Sequence, residues 1–246
     1  MNYIIDTAAR QITLLDARFY HTEDGDFVPS VTTILEAYPK DAAFYQWLKN
    51  NGQDSDELRD KAAERGTNVH KLTEAYDNGE EVSLLNADGR PAYKISEWAM
   101  FERYVEFVTR FTPKILATEQ NYVSADLGYA GTIDRIMEIR GQKLLVDIKT
   151  SGSIWPAYWL QLAAYRNLLM DCAEIEVDGV AILHLNAKTR TNGKKDDIQG
   201  PGWQMVIKTD TDRELDLFTI TRRLWLTQHE GELPRQASYK TEHKKV

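Results

Sequence analysis

Two periodicities divide the chain. From Asp41 to Arg110 apolar residues recur at helical spacing, which predicts helices over Ala42–Asn50, Ser55–Asn78 and Ala92–Phe111, with breaks near Gly52 and across Gly79–Gly89. The period then shortens to two, and Ile115–Val123, Tyr129–Ile139 and Lys143–Thr150 read as the three strands of a meander. A helix over Trp155–Met170, strands over Val177–Asn186 and Trp203–Lys208, and a closing helix over Thr211–His229 complete the pattern. Ahead of the helical block, Gln11–Leu15 alternates, Glu23-Asp24-Gly25-Asp26 marks a turn, and Pro29–Leu35 enters a helix that Ser30 can cap. Short strands, a helical block, three strands, a helix, two strands and a helix predict an α/β fold with a mixed central sheet flanked by helices. The expectation is one domain over 1–246, with an N-terminal part (1–112) packed as an arch or wall against a core (113–246).

Composition narrows the chemistry. A chain of 246 residues can bury roughly 70% of its unfolded surface and needs no covalent staples. Its single cysteine, Cys172, excludes an intramolecular disulfide and any cluster or zinc site built on several thiolates of this chain. No run approaches the ~20 apolar residues of a membrane span, and Met1–Asp6 lacks the basic start of a secretory signal, so a cytoplasmic setting is expected. The net charge of −8 disfavours non-specific coating of nucleic acid but leaves room for one basic groove.

The densest chemistry lies in Gly131-Thr132-Ile133-Asp134-Arg135 and Leu144-Leu145-Val146-Asp147-Ile148-Lys149. Side chains alternate along a strand, so Asp147 and Lys149 share a face while Val146 and Ile148 enter the other layer. Two acids and a lysine beside buried apolar residues are costly unless something uses them. A hard divalent cation held by carboxylates, with a phosphate completing its shell, would do so. A surface hairpin with a local Asp–Lys ion pair is the alternative, against which stands the apolar run that leads into Asp147. Gly66, His70 and Glu74 share one helical stripe, as do Gln161 and Tyr165, four apart. Ser30 and Thr32 sit near a helix start, where amides can hold a phosphate or where hydroxyls merely cap. Trp155, Tyr158 and Trp159 can stack on bases or fill core. Lys188, Arg190, Lys194 and Lys195 in the polar connection, and Lys240, Lys244 and Lys245 near the end, read as solvated charges that could touch DNA.

Taken together, Gly-Tyr-Ala-Gly-Thr-Ile-Asp134, Asp147-Ile-Lys149-Thr-Ser and Gln161-Leu-Ala-Ala-Tyr165 resemble the RecB-like exonuclease branch of the PD-(D/E)XK nuclease superfamily. Arg65-Gly66-Thr67-Asn68-Val69-His70 with Glu74 is similar to that branch's helical histidine motif. Pro29-Ser-Val-Thr-Thr-Ile-Leu35 with Trp47 is similar to its mitochondrial genome-maintenance and phage members. The likeness runs from about Phe19 to Tyr165. It implies a restriction-endonuclease-like core and a magnesium or manganese ion held by His70, Asp134, Asp147 and the Ile148 carbonyl. It also implies Lys149 as catalytic lysine, Glu119 at the first acidic position, and Gln161 and Tyr165 on the substrate backbone. Ser30 and Thr32 are further candidate substrate contacts. The branch's Pro-Asp pair is absent before Glu119, and so are its iron–sulfur cysteines.

The function this predicts is a metal-dependent DNA exonuclease of replication, recombination or repair, acting on single strands or ends. Candidate partners are DNA, a recombinase and a single-strand-binding protein, and oligomerisation would be compatible. A structure-specific endonuclease on the same fold and an inactive DNA-binding recombination factor are the alternatives.

Overall fold

The computed structural model describes residues 3–7, 11–16, 19–188 and 198–242. The expected Arg190, Lys194, Lys195, Lys244 and Lys245 contacts lie outside these residues. The N-terminal strands are β1 (Tyr3–Asp6), β2 (Gln11–Leu15), β3 (Phe19–His21) and β4 (Phe27–Pro29). β1 and β2 pair with each other, and β3 pairs with β4. The helices α1 (Val31–Ile34), α2 (Ala42–Asn51), α3 (Ser55–Asp77) and α4 (Ile95–Phe111) follow. α4 begins three residues later than its apolar pattern suggests. Lys94 takes the cap position, and its backbone N–H donates to Glu97 Oε2 at 2.8 Å, fixing the first turn.

The meander appears as β5 (Lys114–Ser124), β6 (Tyr129–Ile139) and β7 (Gln142–Lys149). The two residues between β6 and β7, Arg140 and Gly141, have φ of 53° and 79°. Those left-handed values match a two-residue hairpin turn whose twist suits the strands. Then come α5 (Pro156–Ala173), β8 (Gly179–His184), β9 (Ile198–Gly200), β10 (Trp203–Lys208), α6 (Asp212–Gln228) and β11 (Gln236–Lys240). Six strands form one sheet in the order β5-β6-β7-β8-β10-β9. Its neighbours are antiparallel except β7 and β8, which run parallel because α5 carries the chain back across the sheet. This is the mixed sheet flanked by helices that the alternation of periods implies. β11 pairs with β2 from the far end of the chain, and its five residues are all exposed, so no buried face marked it in the sequence.

The alternation along β7 and β8 separates two apolar layers. Leu145, Val180 and Ile182 pack with Leu160, Leu162, Ala164, Leu168 and Leu169 of α5 and Phe218 and Trp225 of α6. Leu144, Val146, Ile148, Ala181 and Leu183 face the other way, toward Val69 of α3 and Met100, Tyr104 and Phe107 of α4. Each large apolar side chain removed from water stabilises by about 1.5–3 kcal/mol. A one-residue slip of β7 would exchange its two sets and drive Asp147 and Lys149 into the α3–α4 layer. Trp159 packs against the α5-side core, as its helical spacing allowed, whereas Trp155 stays 39% exposed. Among the described residues no helix is long and apolar enough to cross a membrane.

Candidate metal centre

The site forms where the sheet parts. The β6–β7 ladder runs from Ile139↔Gln142 to Arg135↔Val146 and then stops. One residue further, the Asp134 carboxylate takes the place of a backbone acceptor: the Ile148 N–H donates to Asp134 Oδ2 at 2.8 Å. Across β5, Glu119 is one of four described non-glycine residues with positive φ, at 45°. That conformation is costly for a glutamate and persists only where its surroundings enforce it.

α3 brings His70 over this gap. Its Nε2 lies 3.0 Å from the Ile148 carbonyl oxygen and, carrying a proton, donates to it. Its Nδ1 then faces Asp134 Oδ2 at 3.5 Å and Glu119 Oε1 at 3.6 Å. One ligand atom from each of His70, Glu119 and Asp134 lies within 4.8 Å of the others. Burial disfavours the charged imidazole, but Asp134, Glu119 and Asp147 outweigh it and raise the His70 pKa to about 9. The proton occupies a place that a cation could take. Glu119 itself is held below the usual carboxylate range: burial opposes this, and His70 and Arg135 prevail.

Asp147, 2% exposed, stands behind this group. Lys149 Nζ approaches its Oδ2 at 2.7 Å, yet neither carboxylate oxygen has a partner in hydrogen-bond geometry. Burial raises the Asp147 carboxyl, and Lys149 beside it partly offsets the rise. An ionised carboxylate with unsatisfied lone pairs next to two further acids and an imidazole fits a site for a hard divalent cation. Lys149 is held charged: burial opposes the ammonium, while Asp147 and Asp134 favour it and win. Its Nζ donates to Gln161 Oε1 at 3.0 Å and sits 4.5 Å from the centre of the Tyr158 ring. Gln161 Nε2 in turn donates to the Tyr165 hydroxyl at 3.0 Å. Burial pushes that phenol well above its ordinary pKa, so it stays neutral.

The structure therefore brings together His70, Glu119, Asp134, Asp147, the Ile148 carbonyl, Lys149, Gln161 and Tyr165. Gly131 has a local reason: a Cβ there would collide with the Tyr165 ring. Ser30 is occupied as a cap, since the Thr33 N–H donates to its Oγ at 3.1 Å and both Thr32 and Thr33 hydroxyls lie within 3.0 Å of it. Asp77 of α3 joins the site through Arg135. Sequence reasoning missed that pair and their partners. The Arg135 guanidinium is fully buried; Nε donates to Asp77 Oδ2 at 2.6 Å, Nη1 to the Asp134 carbonyl at 2.6 Å and to Glu119 Oε1 at 3.2 Å, and Nη2 to Thr73 Oγ1 at 3.2 Å. Tyr104 OH donates to the same Asp77 oxygen at 2.6 Å. Thr73 and Asp77, three and seven residues after His70, were visible as a continuation of its helical stripe.

No family model and no curated protein matches the chain. Among solved structures it is similar to LHK-Exo in complex with dAMP, at 12% identity and a TM-score of 0.40 over 82% of this chain and 87% of that one. It is also similar to SSO0001, at 15% identity and a TM-score of 0.30 over 53% of this chain and 59% of that one.

Proposed function

We propose that this chain is a metal-dependent deoxyribonuclease, an exonuclease that hydrolyses phosphodiester bonds in single-stranded or end-bearing DNA. The observation that carries this is the convergence of His70, Glu119 and Asp134 beside a buried Asp147 carboxylate whose one ion-pair contact is the Lys149 ammonium. His70, Asp134, Asp147 and the Ile148 carbonyl would hold magnesium or manganese, with Glu119 adjoining. When bound, the ion supplies Lewis acidity, polarising a phosphoryl oxygen and making water acidic enough to attack. The chain supplies the rest. Asp147, by ion pairing, and Gln161, by accepting a hydrogen bond, hold Lys149 from two sides, so its ammonium is aimed rather than mobile. That ammonium can donate to a phosphate oxygen and stabilise the charge that develops on it. Gln161 and Tyr165 set the position of Lys149 and contribute neutral donors along the strand backbone.

The motif likeness, from the N-terminal helix entry through Tyr165, supports DNA as substrate and a single nuclease domain with a restriction-endonuclease-like core. It also supports work in replication, recombination or repair, in a cytoplasmic setting and alongside a recombinase or single-strand-binding protein. The test is cleavage of end-labelled linear DNA and of covalently closed circles with magnesium, by wild type, Asp147→Ala and Lys149→Ala. Shortening of linear DNA by wild type alone is the expected result. Equal activity in all three proteins would sink the assignment, and cutting of closed circles would reassign it to an endonuclease.

A further inference from the structure

A cleft of about 260 Å³ opens beside Lys149, between the first turns of α2 and α5. Four aromatic rings line it, Tyr38, Phe44 of α2, and Trp155 and Tyr158 at the start of α5, together with Lys40 and Asp41. Three observations bear on what fills it. First, Tyr158 links the cleft to the candidate active site, because it lines the one and its ring centre lies 4.5 Å from Lys149 Nζ in the other. Second, no residue of α2 is buried, and α2 presents Phe44 stacked on Trp47, with ring centres 6.2 Å apart and planes 26° apart. An aromatic helix face left uncovered this way has its apolar area available to a ligand. Third, the cleft's lining carries one charge of each sign, Lys40 and Asp41. Asp41 is already occupied as the α2 cap, where it accepts from the Phe44 N–H at 2.8 Å, and Lys40 beside it is exposed and can meet a strand phosphate.

We infer that this cleft is a base-stacking subsite: it takes the nucleobase next to the scissile phosphate of a single strand, between Phe44 and Trp155, with Tyr158 joining it to Lys149. The inference rests on the nuclease reading above and adds how the strand is gripped. Sites that hold drug-sized molecules measure roughly 300–1,000 Å³, so this one has the scale of one or two stacked rings. Every base has a π-face, so such a grip is sequence-tolerant and selects unpaired over paired nucleotides.

The test places a single 2-aminopurine at successive positions of a single-stranded oligonucleotide. Its fluorescence is read on binding with calcium in place of magnesium. Quenching at one or two adjacent positions is expected, with dissociation constants weakened about tenfold by Phe44→Ala or Trp155→Ala and retained by Trp155→Phe. An abasic residue at the quenched position should weaken wild type by the same factor and leave the alanine variants unaffected. Uniform quenching, no quenching, or alanine variants with unchanged affinity would overturn the subsite. So would alanine variants that change the mass of the protein in solution without changing the quench, which would assign the cleft to a second copy of the chain. The readout needs no hydrolysis. A quench without cleavage would remove the activity and keep the subsite, and cleavage without a quench would do the reverse.

Discussion

Arg135 Nη1 donates to Glu119 Oε1 at 3.2 Å, and Glu119 holds a left-handed φ of 45° in the middle of a strand. The buried guanidinium fastens the side chain of that left-handed residue, while its Nε is committed to Asp77. Arg135→Met leaves Asp77 as an uncompensated buried charge, and loss of one partner of such a pair costs about 3–5 kcal/mol. The expected result is a matching fall in the urea midpoint. Arg135→Lys keeps the charge but not the fork, and should weaken metal affinity about 10–100-fold, as loss of a ligand's support does. Calorimetric titration with manganese reads this; unchanged affinity in Arg135→Lys would show that Glu119 needs no such support.

Metal should stabilise the fold through the ligands gathered around Asp134. At a free concentration of one hundred times Kd, a ligand specific to the native state adds about 2.7 kcal/mol. A rise in Tm with magnesium or manganese is expected for wild type, reversed by chelator, and absent in Asp134→Ala. Retention of the shift in Asp134→Ala would place the cation elsewhere.

The imidazole gives a pH dependence with a definite sign. With its folded pKa raised from 6.5 to about 9, His70 contributes stability that is fully present below pH 6.5 and lost as pH rises through about 9. Metal-free wild type should therefore lose Tm between these values relative to His70→Gln. Metal binding must expel the same proton, so affinity should climb up to about tenfold per pH unit in this window and level off above it. Titrations in buffers of different ionisation enthalpy count the proton released. A pH-independent affinity would remove His70 from the ligand set.

Gly131 and Tyr165 are coupled sterically. Gly131→Ala pushes a methyl into the Tyr165 ring, and overpacking of this kind costs about 1–3 kcal/mol. Through Gln161 the displaced ring also disturbs Lys149, so cleavage should slow together with the stability loss. Gly131→Ala combined with Tyr165→Leu should recover most of the stability, because the clashing ring edge is gone, without recovering the rate. An additive double variant in urea unfolding would disprove the coupling.

Much of the arrangement was readable from residue order because it is local. The alternation of Leu144 to Lys149 assigns both faces of β7, and the four-residue spacing of Gln161 and Tyr165 puts them on one side of α5. The strands Tyr129–Ile139 and Trp203–Lys208 have the bounds their pattern predicts. What escaped depends on contacts across long separations. Arg135 reads as a charged residue in a strand, and only the fold shows that Asp77, 58 positions earlier, neutralises it. The approach of Glu119 to His70 depends on a left-handed residue inside a strand, and a two-residue period says nothing of that. Ser30 carried two meanings in sequence, and its hydrogen bonds to Thr33 show the capping one.

The Asp134 carboxylate accepts the Ile148 amide in place of a lost rung of the ladder, and this makes a single proton a sentinel for the whole centre. Any charge that arrives on or leaves that carboxylate must alter the shielding and exchange rate of one N–H. The Ile148 resonance would therefore register a cation entering the site before any bond in a substrate is broken.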